Sequence, residues 1–275
     1  MNKRLHDAIR KTPFWRLVRR CFLEIHLAEH CNLNCIGCSH FSPLAEPAFC
    51  NLEELRNNLQ QLSKFKRAFR AIRLLGGEPL LNPEISEIMR IVCTNFKDSD
   101  IELVTNGILF LGDAKKIPDH FWETCRQYNV RINITIYPIE NIDYAKIERT
   151  CIQNNVRFRI YANRRNESSF QRFKLDPNGG GDRAAYAHCD EAKCWQLVGN
   201  RIYACPQSAY VGYLNKAFGS NFVQRKGDFI EINKLNKLRL VLFKLRSKPF
   251  CSYCVFPRMN VNWKLSERNA EEWIL

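Results

Sequence analysis

Residues 31–38 read CNLNCIGC, and this stretch places Cys31, Cys35 and Cys38 on one short segment. The segment follows residues 22–27, FLEIHL, where alternating apolar and polar residues predict a strand. Iron–sulfur clusters are held by cysteine thiolates in short local runs, normally four of them. Because this run supplies three, one iron of a cluster would lack a local protein ligand and could bind a small molecule directly.

Strand-like and helix-like segments alternate from residue 21 to about 161. Asn51 offers a helix N-cap with Glu54 three residues later, and leucines follow at helical spacing. The pattern predicts further strands at 71–75, 101–104, 131–137 and 156–161, and further helices from Asn82-Pro83, at 118–128 and at 142–154. Such alternation is typical of right-handed βαβ units around a parallel sheet or barrel. About five units fit, too few for a complete eight-fold barrel.

Two further motifs stand at the ends of predicted strands. Gly76-Gly77-Glu78-Pro79 follows the second strand, and Thr105-Asn106-Gly107 follows the third. Glycines let a backbone approach a ligand closely. With CxxxCxxC after the first strand, these segments make the chain resemble the radical SAM superfamily, which carries GGEP and TNG motifs at these places.

The resemblance implies a fold, a cofactor and a reaction. The fold is α/β, a partial (β/α)6 TIM-like barrel. Cys31, Cys35 and Cys38 would hold a [4Fe–4S] cluster, and its open iron would bind S-adenosylmethionine. The remaining cosubstrate contacts would come from two motifs and comprise Gly76, Gly77, Glu78, Pro79, Thr105 and Asn106. Gly37 departs from the family, which usually has an aromatic residue there, so Phe41 or His40 is the substitute expected beside the adenine.

A second group of cysteines lies in the tail. Residues 194–205 read as a hairpin whose two-residue turn is Gly199-Asn200, and pairing outward from the turn sets Cys194 against Cys205. Cys251 and Cys254 then form a CxxC. This layout resembles the Twitch form of the SPASM module, which holds one auxiliary [4Fe–4S] cluster. Cys189 is a fifth candidate whose distance to Cys205 also suits the family, and a zinc ribbon is the alternative.

These motifs predict a three-part organisation. Residues 1–20 form a basic helical extension, 21–185 the radical SAM core, and 186–275 a hairpin-plus-helix module for the auxiliary cluster. Residues 162–188 are polar and glycine-rich, as expected of a linker or an active-site loop.

Composition limits the class of protein. The 275 residues are 45% hydrophobic and 25% charged, which is typical of a folded globular chain. No apolar run approaches the roughly 20 residues that span a bilayer, and the basic start lacks the apolar segment of a secretory signal. With thirteen cysteines and no export signal, the sequence predicts a cytoplasmic, metal-binding protein.

The single auxiliary cluster suggests the type of reaction. A cluster beside a substrate radical can accept an electron, which predicts a net two-electron oxidation of a carbohydrate or cyclitol alcohol, as in Twitch-type aminocyclitol dehydrogenases. The alternatives are peptide modification and radical epimerisation. We expect a small-molecule or peptide substrate and an electron donor such as flavodoxin or ferredoxin. The net charge of +14 also fits a zinc protein that binds nucleic acid, but the cysteine loop beside GGEP argues against that alternative.

Overall fold

The computed structural model describes residues 21–112, 116–139, 142–161, 169–172, 174–181, 183–256 and 259–275. The predicted helical extension at 1–20 lies outside these ranges. Within them, no helix combines the length and the apolar character that a membrane crossing requires.

Ten strands and six helices carry the fold across the described residues. The strands are β1 (Cys21–Ala28), β2 (Phe69–Gly76), β3 (Ile101–Thr105), β4 (Arg131–Thr135), β5 (Arg157–Tyr161), β6 (Ser169–Arg172), β7 (Cys194–Val198), β8 (Arg201–Tyr203), β9 (Phe229–Glu231) and β10 (Met259–Asn262). The helices are α1 (Leu52–Leu62), α2 (Ile85–Asn95), α3 (Phe121–Gln127), α4 (Tyr144–Gln153), α5 (Pro206–Phe218) and α6 (Lys237–Leu245).

One eight-stranded sheet runs in the order β5-β4-β3-β2-β1-β7-β8-β9. Strands β1 to β5 are parallel, and α1 to α4 connect them in turn. Helix α1 begins where predicted, because the Asn51 side chain accepts a hydrogen bond from the Glu54 amide. The predicted α/β architecture with a parallel, TIM-like sheet is confirmed.

The tail joins this sheet instead of standing apart from it. β7 pairs with β1 in parallel, and β8 and β9 continue the sheet in antiparallel fashion. The sheet therefore continues across the predicted domain boundary near residue 185. The division into two domains stays a prediction.

Helix α5 was not predicted from the sequence. Six consecutive residues at its start, Pro206 to Val211, are buried, so the helix lacks the one-sided apolar period that signals an amphipathic helix. The predicted tail helix corresponds to α6, which begins at Lys237 after the Asn236 cap. Strands β6 and β10 also pair with each other, and β6 falls where the sequence predicted a loop.

The two faces of the central strands differ in chemistry. Leu23, Ile25 and Ile72 lie in the apolar core under the helices. On the opposite face, Arg73 forms ion pairs with Glu24 at 3.2 Å and with Glu102 at 3.0 Å. Arg131 continues this row, its guanidinium 3.3 Å from Glu102. The row joins neighbouring strands β1 to β4 by alternating charge, so it helps to fix their order and register.

Candidate functional site

The three predicted cluster cysteines line one cavity at the carboxyl ends of the central strands. The cavity has a volume of about 140 Å³ and is lined by Cys31, Cys35 and Cys38. Four of the six predicted cosubstrate positions also line it, namely Gly76, Gly77, Thr105 and Asn106. Glu78 and Pro79 do not belong to the lining. The structure thus brings the motifs of three successive strands to one place, as parallel strands do with the loops at their carboxyl ends.

Gly77 permits the closest approach between two of these motifs. Its amide donates to the Ala28 carbonyl at 2.8 Å, and the Glu78 amide donates to the His30 carbonyl at 3.0 Å. A Cβ atom on Gly77 would lie 2.1 Å from the His30 oxygen and 2.8 Å from the Cys31 nitrogen. Because no side chain fits, glycine here sets the position at which the cysteine loop begins.

Glu78 connects the second motif to the third. Its buried carboxylate accepts hydrogen bonds from the Thr105 hydroxyl at 2.7 Å, the Asn106 amide at 3.0 Å and the Leu80 amide at 3.1 Å. Burial raises the pKa of Glu78 to about 7, although these donors oppose the shift. The carboxylate therefore fixes the position of the segment that carries Thr105 and Asn106. Pro79 begins a short helical turn directly after Glu78.

Asn106 completes the connection back to the cysteines. Its side-chain amide donates to Asn32 at 2.7 Å and lies 3.9 Å from the sulfur of Cys31. The cysteine loop, Glu78 and Asn106 thus form a continuous network around the cavity, which holds their relative positions.

The C-terminal segment closes over the cysteine loop, a feature that the sequence did not predict. The Ile36 amide donates to the Lys264 carbonyl at 3.1 Å, and the Ser266 amide donates to the Asn34 carbonyl at 2.7 Å. The Trp263 indole interacts with the Cys35 thiol. The Trp273 indole donates to the Cys38 carbonyl at 3.0 Å. The loop is therefore fixed from both sides, although nothing in the tail sequence signals this contact.

The chemistry of the cysteines fits a metal cluster. Burial raises the pKa of Cys35 to about 12, and the neighbouring Cys38 thiol adds to this shift. Burial likewise raises the pKa of Cys31 and of Cys38. Free thiols in this place stay protonated near neutral pH, so thiolates require the positive charge of metal to stabilise them. The residues therefore suit a cluster that binds all three sulfurs.

His40 and Tyr137 also line this cavity. Burial lowers the pKa of His40 well below its ordinary value, so the imidazole is neutral at physiological pH. Burial raises the pKa of Tyr137, and the cysteines add to the shift. Of the two residues expected beside the adenine, His40 lines the cavity, whereas Phe41 is buried in a separate apolar cluster. Tyr137 was assigned no role from sequence, because a single aromatic residue carries no spacing signal.

The structure groups the tail cysteines differently from the hairpin prediction. Burial raises the pKa of Cys205, and the thiols of Cys254, Cys251 and Cys189 add to the shift. The groups that act on Cys194 are Glu24, Glu191 and Arg73 instead. The thiols that act on Cys205 thus include Cys189 and not Cys194, and the choice between these two candidate ligands stays a prediction.

The reason lies in the end of the hairpin ladder. Val198 pairs with Arg201 as predicted, and the register continues to Gln196 with Tyr203. The chain then leaves the ladder, and Cys205 becomes the N-cap residue of α5. Since β8 ends before Cys205, Cys194 keeps its place on the strand face beside Glu24.

Comparison with known proteins finds a family similar to the first half of the chain. The sequence model of the Radical SAM superfamily matches residues 25–137, which contain the three cysteines and both cosubstrate motifs. This stretch of the chain is similar to the Radical SAM superfamily.

Curated relatives of the radical SAM domain include two GTP 3′,8-cyclases. The protein from Microcystis aeruginosa is 33% identical over 132 residues, which are 46% of this chain and 37% of that relative. The protein from Erythrobacter litoralis is 28% identical over 137 residues, 48% of this chain and 38% of that relative. The alignments span less than half of either relative.

A crystal structure of BtrN in complex with AdoMet and 2-DOIA has a similar fold. It superposes with a TM-score of 0.52 and 12% identity, and the alignment covers 92% of this chain and 96% of that one. At this identity the likeness concerns the fold, and it extends beyond the radical SAM domain into the tail.

Gly77→Ala tests the close approach in this site. The added methyl group would have to displace the backbone of His30 and Cys31, so we expect a loss of stability of about 2 kcal/mol and weaker S-adenosylmethionine binding. Urea unfolding and equilibrium dialysis measure the two effects. Gly212→Ala is the matched control, because a Cβ there meets no atom within 4 Å. Equal behaviour of the two variants would contradict the steric argument.

Proposed function

We propose that Cys31, Cys35 and Cys38 hold a [4Fe–4S] cluster and that this chain cleaves S-adenosylmethionine to abstract a hydrogen atom from its substrate. The supporting observation is the cavity in which the three thiols meet the backbone of Gly76–Gly77 and of Thr105–Asn106. Held by these three cysteines, a cluster with one open iron would supply the electron that cleaves the sulfonium to methionine and a 5′-deoxyadenosyl radical.

The protein's own groups bind and orient the cosubstrate and exclude water from the cavity. Gly76 and Gly77 line the cavity, and their lack of side chains lets this backbone pack directly on Ala28 and His30, where it can receive the amino group of the cosubstrate. Glu78 holds Thr105 and Asn106 at the opposite wall. Leu75 and Val104 make part of the wall apolar, which protects a reactive radical from competing reactions.

Cys35→Ala tests this assignment. The variant should lose cluster iron and the reductive formation of 5′-deoxyadenosine, which chromatography detects after addition of dithionite. Cys93→Ala is the control, since Cys93 is a buried cysteine of the apolar core and should retain activity. Wild-type amounts of 5′-deoxyadenosine from the Cys35 variant would exclude the proposed site.

The tail supports a second proposal, an auxiliary [4Fe–4S] cluster held by Cys189, Cys205, Cys251 and Cys254. Cys205 lies within electrostatic range of the other three thiols, and Cys251 is also within range of Cys189. A zinc ion with four of these thiolates as tetrahedral ligands is the alternative.

Iron content distinguishes the two candidate ligands. Anaerobically reconstituted protein should contain about eight irons if both clusters are [4Fe–4S]. Cys189→Ala should fall to about four, because the tail cluster loses a ligand, whereas Cys194→Ala should keep about eight. The opposite result would restore the hairpin pairing of Cys194 with Cys205, and stoichiometric zinc in the tail would exclude the auxiliary cluster.

The reaction that we propose is the two-electron oxidation of a carbohydrate or cyclitol alcohol. A hydrogen atom leaves the carbinol carbon for the 5′-deoxyadenosyl radical, and the hydroxyl proton passes to solvent. The auxiliary cluster would accept the remaining electron, so that a ketone forms. S-adenosylmethionine is consumed stoichiometrically, because no hydrogen returns to the substrate.

Turnover in deuterated water separates this reaction from the alternatives. A panel of aminocyclitols, sugars and peptides is offered as substrates, and the products are identified by mass spectrometry. We expect a ketone or aldehyde product that lacks the abstracted hydrogen. Deuterium at the attacked carbon without oxidation would indicate an epimerase. GTP belongs in the panel because of the relatives' names, and its conversion in place of an alcohol would contradict the proposed substrate class.

A further inference from the structure

A groove with a basic rim lies between β9 and α6, away from the cysteine loop. Its volume is about 520 Å³, and its floor includes the apolar side chains of Ile230, Leu242 and Phe243. Its basic lining residues are Arg183, Lys226, Lys234, Arg239, Arg246 and Lys248. Among the described lining residues, Glu231 is the one carboxylate, and it pairs with Lys234. The groove therefore carries a strong excess of positive charge.

The surface beside the groove is apolar. Leu238 and Leu245 of α6 are 39% and 50% exposed, respectively. With Leu242 they follow the spacing i, i+4, i+7, so they form one stripe along the helix. Arg239 of α6 and Arg246, the residue that follows the helix, both line the groove beside this stripe. Exposed apolar side chains bordered by arginine are typical of the surface that binds another protein.

The groove adjoins the tail cysteines. Lys248 lines the groove and lies within electrostatic range of Cys251 and Cys205. Its ammonium group is 4.4 Å from the Tyr186 ring centroid. Tyr186 in turn lies within range of Cys205, Cys251 and Cys189. Lys248 thus lines the groove and also accepts a hydrogen bond from the Cys251 amide at 3.1 Å through its carbonyl. The short separation favours electron transfer, because tunnelling weakens steeply with distance.

We propose that this groove docks a small acidic electron-transfer protein, whose oxidised cofactor takes one electron from the auxiliary cluster. The inference rests on the proposed auxiliary cluster, which supplies that electron after substrate oxidation. An acidic protein surface complements the basic rim, and its apolar centre covers the leucine stripe. Nucleic acid would use the positive charge but would leave the stripe uncovered.

The binding test uses the full chain with both clusters and an oxidised acidic flavodoxin as the probe. Arg239→Glu/Arg246→Glu should weaken binding about tenfold or more, measured by titration calorimetry, and added salt should weaken the wild-type complex. The matched control is Arg67→Glu/Arg70→Glu, which changes the net charge equally. These two exposed arginines line a separate basic cavity at the amino end of β2. The control should bind like the wild type.

Other outcomes would overturn the docking site. Equal weakening in both double variants would indicate a general charge effect, and undetectable flavodoxin binding would exclude this partner. If the Arg239→Glu/Arg246→Glu variant lost binding to a single-stranded oligonucleotide but bound flavodoxin like the wild type, the groove would be a nucleic-acid surface instead.

Electron transfer separates this inference from the auxiliary-cluster proposal. Reduced wild-type protein should reduce the flavin rapidly in stopped-flow absorbance, and the groove variant should do so at least tenfold more slowly while keeping its iron content. Cys189→Ala should bind flavodoxin normally but lack the fast phase. If Cys189→Ala kept both clusters, the ligand assignment would fail; if an intact two-cluster enzyme did not reduce flavodoxin, the docking proposal would fail by itself.

Discussion

The position of the site depends on the contact between the end of β2 and the start of the cysteine loop. Gly77 donates to Ala28, and a Cβ at Gly77 would lie 2.1 Å from the His30 oxygen. The backbones can approach this closely only without a side chain, so the GGEP segment acts as a template for residues 28–31. The sheet below supplies the rigidity, because the charged row from Glu24 to Arg131 joins four strands on the face opposite the apolar core.

The local part of this arrangement could be predicted from sequence. Strand periodicity, the Asn51 cap and the spacing of Cys31, Cys35 and Cys38 are each properties of a short segment. Since parallel strands bring their carboxyl ends together, knowing the order of β1, β2 and β3 was sufficient to place three motifs around one cavity. The role of Glu78 was less accessible, because its partners Thr105 and Asn106 lie on another strand.

The tail shows why the rest could not be predicted. The turn at Gly199-Asn200 gave the correct hairpin register, but register does not reveal where a strand stops. Pro206 favours the first turn of a helix, and this turn takes Cys205 out of the ladder. The contact of residues 264–266 with residues 34–36 joins segments more than two hundred residues apart, for which a single sequence has no local pattern.

The two cysteine groups are mechanically coupled through the C-terminal segment. The Trp273 indole donates to the Cys38 carbonyl, and the Trp273 carbonyl accepts from the Leu175 amide at 2.7 Å. Leu175 also forms a bridge with Cys254 in the tail group. Both Trp273 and Leu175 are almost fully buried, so their hydrogen bonds are protected from water. Two buried residues thus bridge the cysteine groups, which makes their separation a property of the folded chain as a whole.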